Sequence, residues 1–315
     1  MTDLSKAAAY GGEGWSPRTA PLREEIGSLW GRCGQESEWG RLRAVLLHRP
    51  GPELAVPDPD AAQMLAPIDA GLAGKQHDIL ARVYRELGVE VHYVDPSPAP
   101  SPNLMFAADL FFMTPEGAIL ARPASTVRAG EERWVARRLA GLGIPIVRTV
   151  RGTGTFEGAD AAWLDAETVL VGRGLRTSAE GAAQVAATLA EMGVRTLQVD
   201  LPYGAMHLMG MLRVADRDLA IAWPDRLAVA AVKALRERGY RVLFLPETTA
   251  AERNAALNFV TLGPRRILMT EGCPAIQAWY EEAGIECRTV PVDELRKAAG
   301  GIGCLTGILE RDRSP

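Results

Sequence analysis

A chain of 315 residues with 47% hydrophobic and 23% charged side chains can bury a large core, which speaks against disorder and fits one large domain or two medium ones. A net charge of -4, with no run of lysine or arginine, argues against a nucleic-acid or anionic-membrane surface and leaves a small molecule as the expected partner. Four cysteines without CxxC spacing and only four histidines signal neither a zinc site nor a disulfide framework, so reduced thiols and a cytoplasmic location are expected.

Residues 1–40 are mixed and irregular and read as an N-terminal extension, with Trp15, Trp30 and Trp39 expected to anchor it to the body. The segment has no apolar run after its lysine, and the chain has no stretch of about eighteen apolar residues, so neither export nor membrane insertion is expected. Residues 41–315 read as a single catalytic domain. Its first part, "RPGPELAVPDPDAAQMLAPIDAG", is rich in proline and aspartate and reads as a long loop, either a lid over a site or inert.

From there one pattern returns five times: an amphipathic helix, a glycine, then a short β-branched strand. The copies run "LARVYRELGVEVHYVD", "VARRLAGLGIPIVRTV", "VAATLAEMGVRTLQVD", "AVKALRERGYRVLFLP" and "IQAWYEEAGIECRTVP", and Gly88, Gly143, Gly193, Gly239 and Gly284 fall where a helix C-cap needs positive φ. Hairpin-like pairs such as "DLFFMTPEGAILARP" and "AAWLDAETVLVGRG" precede the helices, which makes the unit ββαβ. A dinucleotide-binding sheet is not indicated, because "GTGTFEGAD" lacks GxGxxG spacing and no helix follows it. The fold class is therefore α/β, a five-fold pseudosymmetric propeller of ββαβ units whose first strands begin near a common axis.

Polar residues stand at those beginnings. Asp109 in "FAADLFF", Glu157 and Asp160 in "FEGADAAWL", His207 in "MHLMGML" and Cys304 in "GGIGCLTGIL" lie between 14 and 21 residues beyond a repeat glycine, so ring closure would bring them together. Carboxylates, an imidazole and a thiol on one pocket are the parts of a nucleophile with a proton shuttle and a cation-binding wall. A cysteine alone reads as readily as a buried core thiol, but the flanking glycines give the backbone freedom and leave the sulfur uncrowded. Met206, Met209 and Met211 recur at alternate positions of what reads as one strand, as a core or pocket wall rather than metal ligands. His77 reads as a packing or capping residue at a helix start, His48 and His92 as structural, and Cys273 and Cys287 as buried thiols.

In this order, "FAAD" (Phe106 to Asp109), "FEGAD" (Phe156 to Asp160), "HL" at His207 and "GGIGCLTG" around Cys304 resemble the motifs of the guanidine-modifying superfamily, which comprises arginine deiminases, dimethylarginine dimethylaminohydrolases and arginine amidinotransferases on five-bladed α/β propellers. The resemblance implies a cysteine-dependent hydrolase that cleaves a guanidino C–N bond through a covalent thiouronium intermediate to a citrulline-type product. Cys304 would be the nucleophile, its pKa lowered by the bound cation, His207 the proton shuttle, and Glu157 the residue that orients it. Asp109 would make the main bidentate contact to the guanidinium beside Phe106, and Asp160 would be either a second acceptor or a cap for its turn. Arg128 and Arg176 match carboxylate-binding arginines of the dimethylargininase pattern at the pocket rim; Arg122 is a weaker candidate.

Two departures narrow the reading. Met209 stands where deiminases and amidinotransferases carry an aspartate, which suits an N-alkylated guanidine, and Ala108 replaces an arginine of many relatives, so Asp109 loses an expected neighbouring cation. The alternatives are an amidinotransferase, a deiminase acting on free arginine, and a catalytically silent protein that binds arginine-like ligands. Chain length favours the compact dimethylargininase-like branch. No metal or cofactor is implied, and assembly into a homo-oligomer is compatible with the sequence.

Overall fold

The structure is a computed structural model that describes residues 3–96, 100–246, 249 and 256–313. Its described residues form fifteen strands in five sheets of three. In chain order these are β1 (Leu42–Leu47), β2 (Glu90–Tyr93), β3 (Phe111–Thr114), β4 (Gly117–Leu120), β5 (Ile146–Thr149), β6 (Ala161–Asp165), β7 (Thr168–Arg173), β8 (Arg195–Asp200), β9 (Leu212–Asp216), β10 (Leu219–Ala222), β11 (Arg241–Phe244), β12 (Val260–Gly263), β13 (Arg266–Thr270), β14 (Glu286–Val290) and β15 (Gly307–Arg311). Four sheets take consecutive strands: an antiparallel hairpin, then a third strand parallel to the middle one. A parallel return needs a crossover, and a helix supplies it each time. The crossover helices are α1 (Ala70–Glu86), α2 (Glu132–Gly141), α3 (Ala179–Glu191), α4 (Val229–Glu237) and α5 (Pro274–Glu282).

The five repeat glycines end these helices at φ between 71° and 82°, the left-handed region where a Cβ costs energy. The remaining sheet closes the ring: β15, from the end of the chain, pairs antiparallel with β1, which pairs parallel with β2. Successive sheets touch through their first strands, β15 with β3 and β9 with β12, while the third strands β2, β5, β11 and β14 present exposed positions outward. The architecture is thus a five-bladed α/β propeller.

Five apolar clusters fill the wedges between blades. Trp163 ties two of them together: it stacks on Phe112 at 5.7 Å and donates its indole N–H to the Met113 carbonyl at 3.2 Å. Of the three tryptophans expected to anchor the N-terminal segment, only Trp39 packs on a cluster; Trp15 and Trp30 are exposed. Anchoring comes from the backbone instead, where Gly34 donates to the Leu309 carbonyl and accepts from Arg311 N–H, and from Glu38, which accepts from Trp163 N–H. Cys273 and Cys287 are half-buried rather than core thiols, and His77 sits within α1, fully buried, rather than at its start.

Candidate active site

The segments that lead into the first strands converge. Asp109 ends a 3-10 turn just before β3, Glu157 caps a turn before β6, His207 caps a turn before β9, and Cys304 lies in the short helix Ile302–Leu305 before β15. Local features set each segment. Ser178 caps α3 by accepting from Gly181 N–H, and it also accepts from Thr155 N–H, both at 3.1 Å, which holds the strand that delivers Glu157. Gly181 is required there, because a Cβ would lie 1.8 Å from the Thr155 carbonyl oxygen.

Glu157, fully buried, accepts at 2.6 Å from His207 Nε2 and from Ala124 N–H at 3.1 Å. Asp109 Oδ1 lies 3.9 Å from the same imidazole nitrogen. Burial opposes charge on His207, but Asp109, the Glu157 hydrogen bond and Asp160 outweigh it and hold the ring up at about 9, protonated at neutral pH. Glu157 stays ionised against its own burial because His207, Arg128 and Arg176 surround it.

Cys304 is 9% exposed and opens onto a cavity of about 320 Å³ shared with His207, Met206, Met209, Met211 and Asn258. It also meets a second cavity, of about 20 Å³, lined by Phe106, Asp109, Arg128, Arg176 and Gln63. Burial and the Asp109 charge push the thiol up, while a hydrogen bond from Asn258 works against them. These influences favour the neutral thiol, and a cation placed against Asp109 would favour its ionisation.

Four expectations are revised, and of the two roles left open for Asp160 the structural one fits its contacts. Asp160 is a brace: Oδ2 accepts from the Thr177 hydroxyl at 2.6 Å and Oδ1 from Leu208 N–H at 2.9 Å, so one oxygen holds the segment that follows β7 and the other the segment that carries His207. Arg128 is not at a rim. It is 4% exposed and donates to Asp109 at 2.6 Å and Glu131 at 2.8 Å, so two carboxylates already absorb its charge. Asp109 in turn does not lack a cation for want of an arginine at position 108, and with Oδ2 given to Arg128 it keeps one buried oxygen, Oδ1, without a hydrogen-bond partner. Met206, Met209 and Met211 do not share a strand, because a 3-10 turn occupies Leu208–Gly210 and β9 starts at Leu212; all three still line the larger cavity. The glycines around Cys304 serve close approach rather than freedom: a Cβ on Gly300 would lie 2.1 Å from the Phe106 ring, and one on Gly301 or Gly303 would reach the Asn258 side chain at 2.8 or 3.0 Å.

Phe106 packs under the site with the Arg128 guanidinium 6.0 Å from its ring centre. Arg176 sits 3.5 Å from Glu157, and its buried Nε has no partner. Arg122 is spent on the Gly154 carbonyl at 3.1 Å. The sequence reading missed Asn258, which donates Nδ2 to Cys304 Sγ at 3.2 Å and accepts from Cys304 N–H at 3.3 Å. Its signal was positional: it precedes β12 and stands nineteen residues past Gly239, within the window of the other site residues. Gln63 and Leu65 of the proline-rich loop line the two cavities, and Leu65 N–H donates to the Lys297 carbonyl at 2.7 Å. Ligand atoms of Asp109, Glu157 and His207 lie within 4.8 Å of one another, yet the Arg128 guanidinium, 3.8 Å from Glu157, already supplies the cation that a metal would bring.

The arginine deiminase family model matches residues 98–230. The N(G),N(G)-dimethylarginine dimethylaminohydrolase of Streptomyces coelicolor is 27% identical over 264 residues, 84% of this chain and 96% of the relative, and that of Mycobacterium tuberculosis is 28% identical over 76% of this chain and 77% of its own length. Together these matches support the guanidine-modifying superfamily, on its dimethylargininase-like branch. Solved structures share the fold: dimethylarginine dimethylaminohydrolase from Pseudomonas aeruginosa, a cysteine-to-serine mutant complexed with citrulline, superimposes with a TM-score of 0.72 at 22% identity, covering 85% of this chain and 99% of that one. The amidinotransferase SxtG from Microseira wollei gives a TM-score of 0.75 at 16% identity, over 90% of this chain and 98% of that one.

Proposed function

We propose that this chain hydrolyses a guanidino C–N bond of an N-substituted arginine, with Cys304 as nucleophile. The observation that carries the reading is the joint opening of Cys304 and the Glu157-bound His207 onto one cavity. Support for the substrate class comes from the dimethylarginine hydrolases that align along most of the chain, and from Met209, which puts an apolar wall beside the thiol.

A guanidinium entering the site meets the unpartnered Oδ1 of Asp109, and its positive charge offsets the Asp109 charge that adds to burial in keeping Cys304 protonated, so that the thiol proton can leave to solvent. The thiolate attacks the guanidinium carbon, and as the C–N bond breaks, His207 gives its proton to the departing amine. The resulting S-alkylthiouronium is attacked by a water that gives one proton to His207; as the C–S bond breaks, the second proton of that water passes to the leaving sulfur, and thiol and ureido product separate. An imidazole held near 9 enters this sequence in the acid form that the first half needs.

Arginine, asymmetric dimethylarginine and related guanidines, incubated with wild type and Cys304→Ser and analysed for ureido product and released amine, test the reading. Ureido product and dimethylamine from the methylated substrate, both absent with Cys304→Ser, are expected. Amidino transfer to an added amine in place of ureido product would mark an amidinotransferase, and binding without turnover would mark a silent receptor.

A further inference from the structure

The ring has a second polar enclosure at its hub. A cavity of about 60 Å³ is bounded by Arg213, Arg311, Glu38 and Gln35, and by Gly303 and Thr306 of the segment that carries Cys304. Arg311 is buried and Arg213 half-buried, and each donates to neutral carbonyls. Arg213 donates to the Phe259 carbonyl and places its guanidinium 5.3 Å from that ring's centre. Arg311 gives Nη1 to the carbonyls of Gly40 and Thr261 at 2.8 and 2.7 Å, while its buried Nε has no acceptor.

Among the described residues neither guanidinium forms an ion pair, and Glu38 is the one carboxylate that lines the cavity. Glu38 is itself shared with Gln35 Nε2 and Trp163 N–H, each at 3.1 Å. Two cations against one anion leave a net charge of one in a space with room for a small ion and a few waters. Burial weakens both arginines, Glu38 offsets part of this for each, and Arg213 further weakens Arg311, whose pKa falls to about 10, so both stay charged at neutral pH.

We propose that this hub cavity binds a small monovalent anion of the chloride or formate class between Arg213 and Arg311, and that its occupation damps the reactivity of Cys304. The coupling follows from charge: Arg213 favours the thiolate of Cys304, and an anion beside Arg213 offsets that influence. A dianion would overcompensate the single excess charge. Anion binding stands on its own; only the coupling rests on Cys304 being the nucleophile.

Crystals of the full chain soaked in bromide should show an anomalous peak within hydrogen-bond reach of both guanidinium groups. In solution, exchanging gluconate for chloride at constant ionic strength should raise the melting temperature by roughly 2 °C or more once chloride stands about tenfold above its dissociation constant. The same exchange should slow iodoacetamide labelling of Cys304, followed on its own peptide by mass spectrometry, by roughly threefold. Glu38→Gln, which keeps an acceptor for Trp163 N–H and adds one net positive charge, should lower the chloride midpoint; Arg311→Gln should abolish the response. A cavity holding only water in bromide-soaked crystals, or identical melting in the two salts, overturns the site. Bromide bound with labelling unchanged overturns the coupling. Neither bromide binding nor melting needs a substrate, so both read out independently of the guanidino chemistry.

Discussion

Replacing Glu157 by glutamine removes one buried negative charge while keeping the side-chain shape. In the wild type the imidazole of His207 is raised from its ordinary 6.5 to about 9 against its burial, a preference for the charged ring of about 3 kcal/mol. Asp109 contributes most to that rise, and the Glu157 hydrogen bond comes next. Glu157→Gln leaves Asp109 and Asp160 in place, so the ring should drop by about one to two pH units rather than return fully to 6.5 or below. The sign for stability follows. Because His207 titrates higher folded than unfolded, its contribution is complete below about pH 6.5 and is lost as pH rises through about 9. Wild-type stability should fall across that window by up to about 3 kcal/mol, and the variant should show a shallower fall confined to lower pH. Imidazole NMR titration of the two proteins reads the pKa directly, urea melts at pH 6 and 9 read the linkage, and turnover should fall about 10²- to 10⁴-fold. A His207 that still titrates near 9 in the variant, or activity within a few-fold of wild type, would refute the assigned pairing.

Asn258→Ala should raise the Cys304 thiol further and slow its alkylation at neutral pH, with melting temperature little changed; faster alkylation would show that the amide restrains rather than assists the sulfur. Gly300→Ala drives a methyl into the Phe106 ring and should cost about 1 to 3 kcal/mol in urea melts, with a relaxed Phe106 visible in a crystal structure. Arg128→Met strands Asp109 and Glu131 in the interior, and should cost about 3 to 5 kcal/mol at neutral pH; a change below about 1 kcal/mol would show that the two carboxylates do not depend on it.

Much of the fold was legible because it is written locally. A glycine after an amphipathic helix, then alternating β-branched residues, states a helix end and a strand within one short window, and five such windows state a ring. The closure of β15 on β1 was not legible, because it joins the two ends of the domain and leaves no local mark. The same division holds in the site. The residues Asp109, Glu157, His207 and Cys304 announce themselves by chemical type and by place before a first strand. What each carboxylate binds does not. Asp160 and Glu157 lie three residues apart on one turn, yet Asp160 is consumed by Thr177 and Leu208 whereas Glu157 faces His207, and only packing across blades decides between them. Arg128 likewise reads as a surface cation until Asp109 and Glu131 are seen around it. Asn258 carries no chemical flag at all; its position before β12, in register with the other site residues, was the one available sign.

The direct measurement is peptide mass spectrometry on enzyme acid-quenched during turnover of asymmetric dimethylarginine. Cys304 should carry the mass of the substrate less dimethylamine, with more adduct in a variant whose shuttle is slowed. A substrate-derived mass on any other residue, or turnover that persists in Cys304→Ser, would contradict the account.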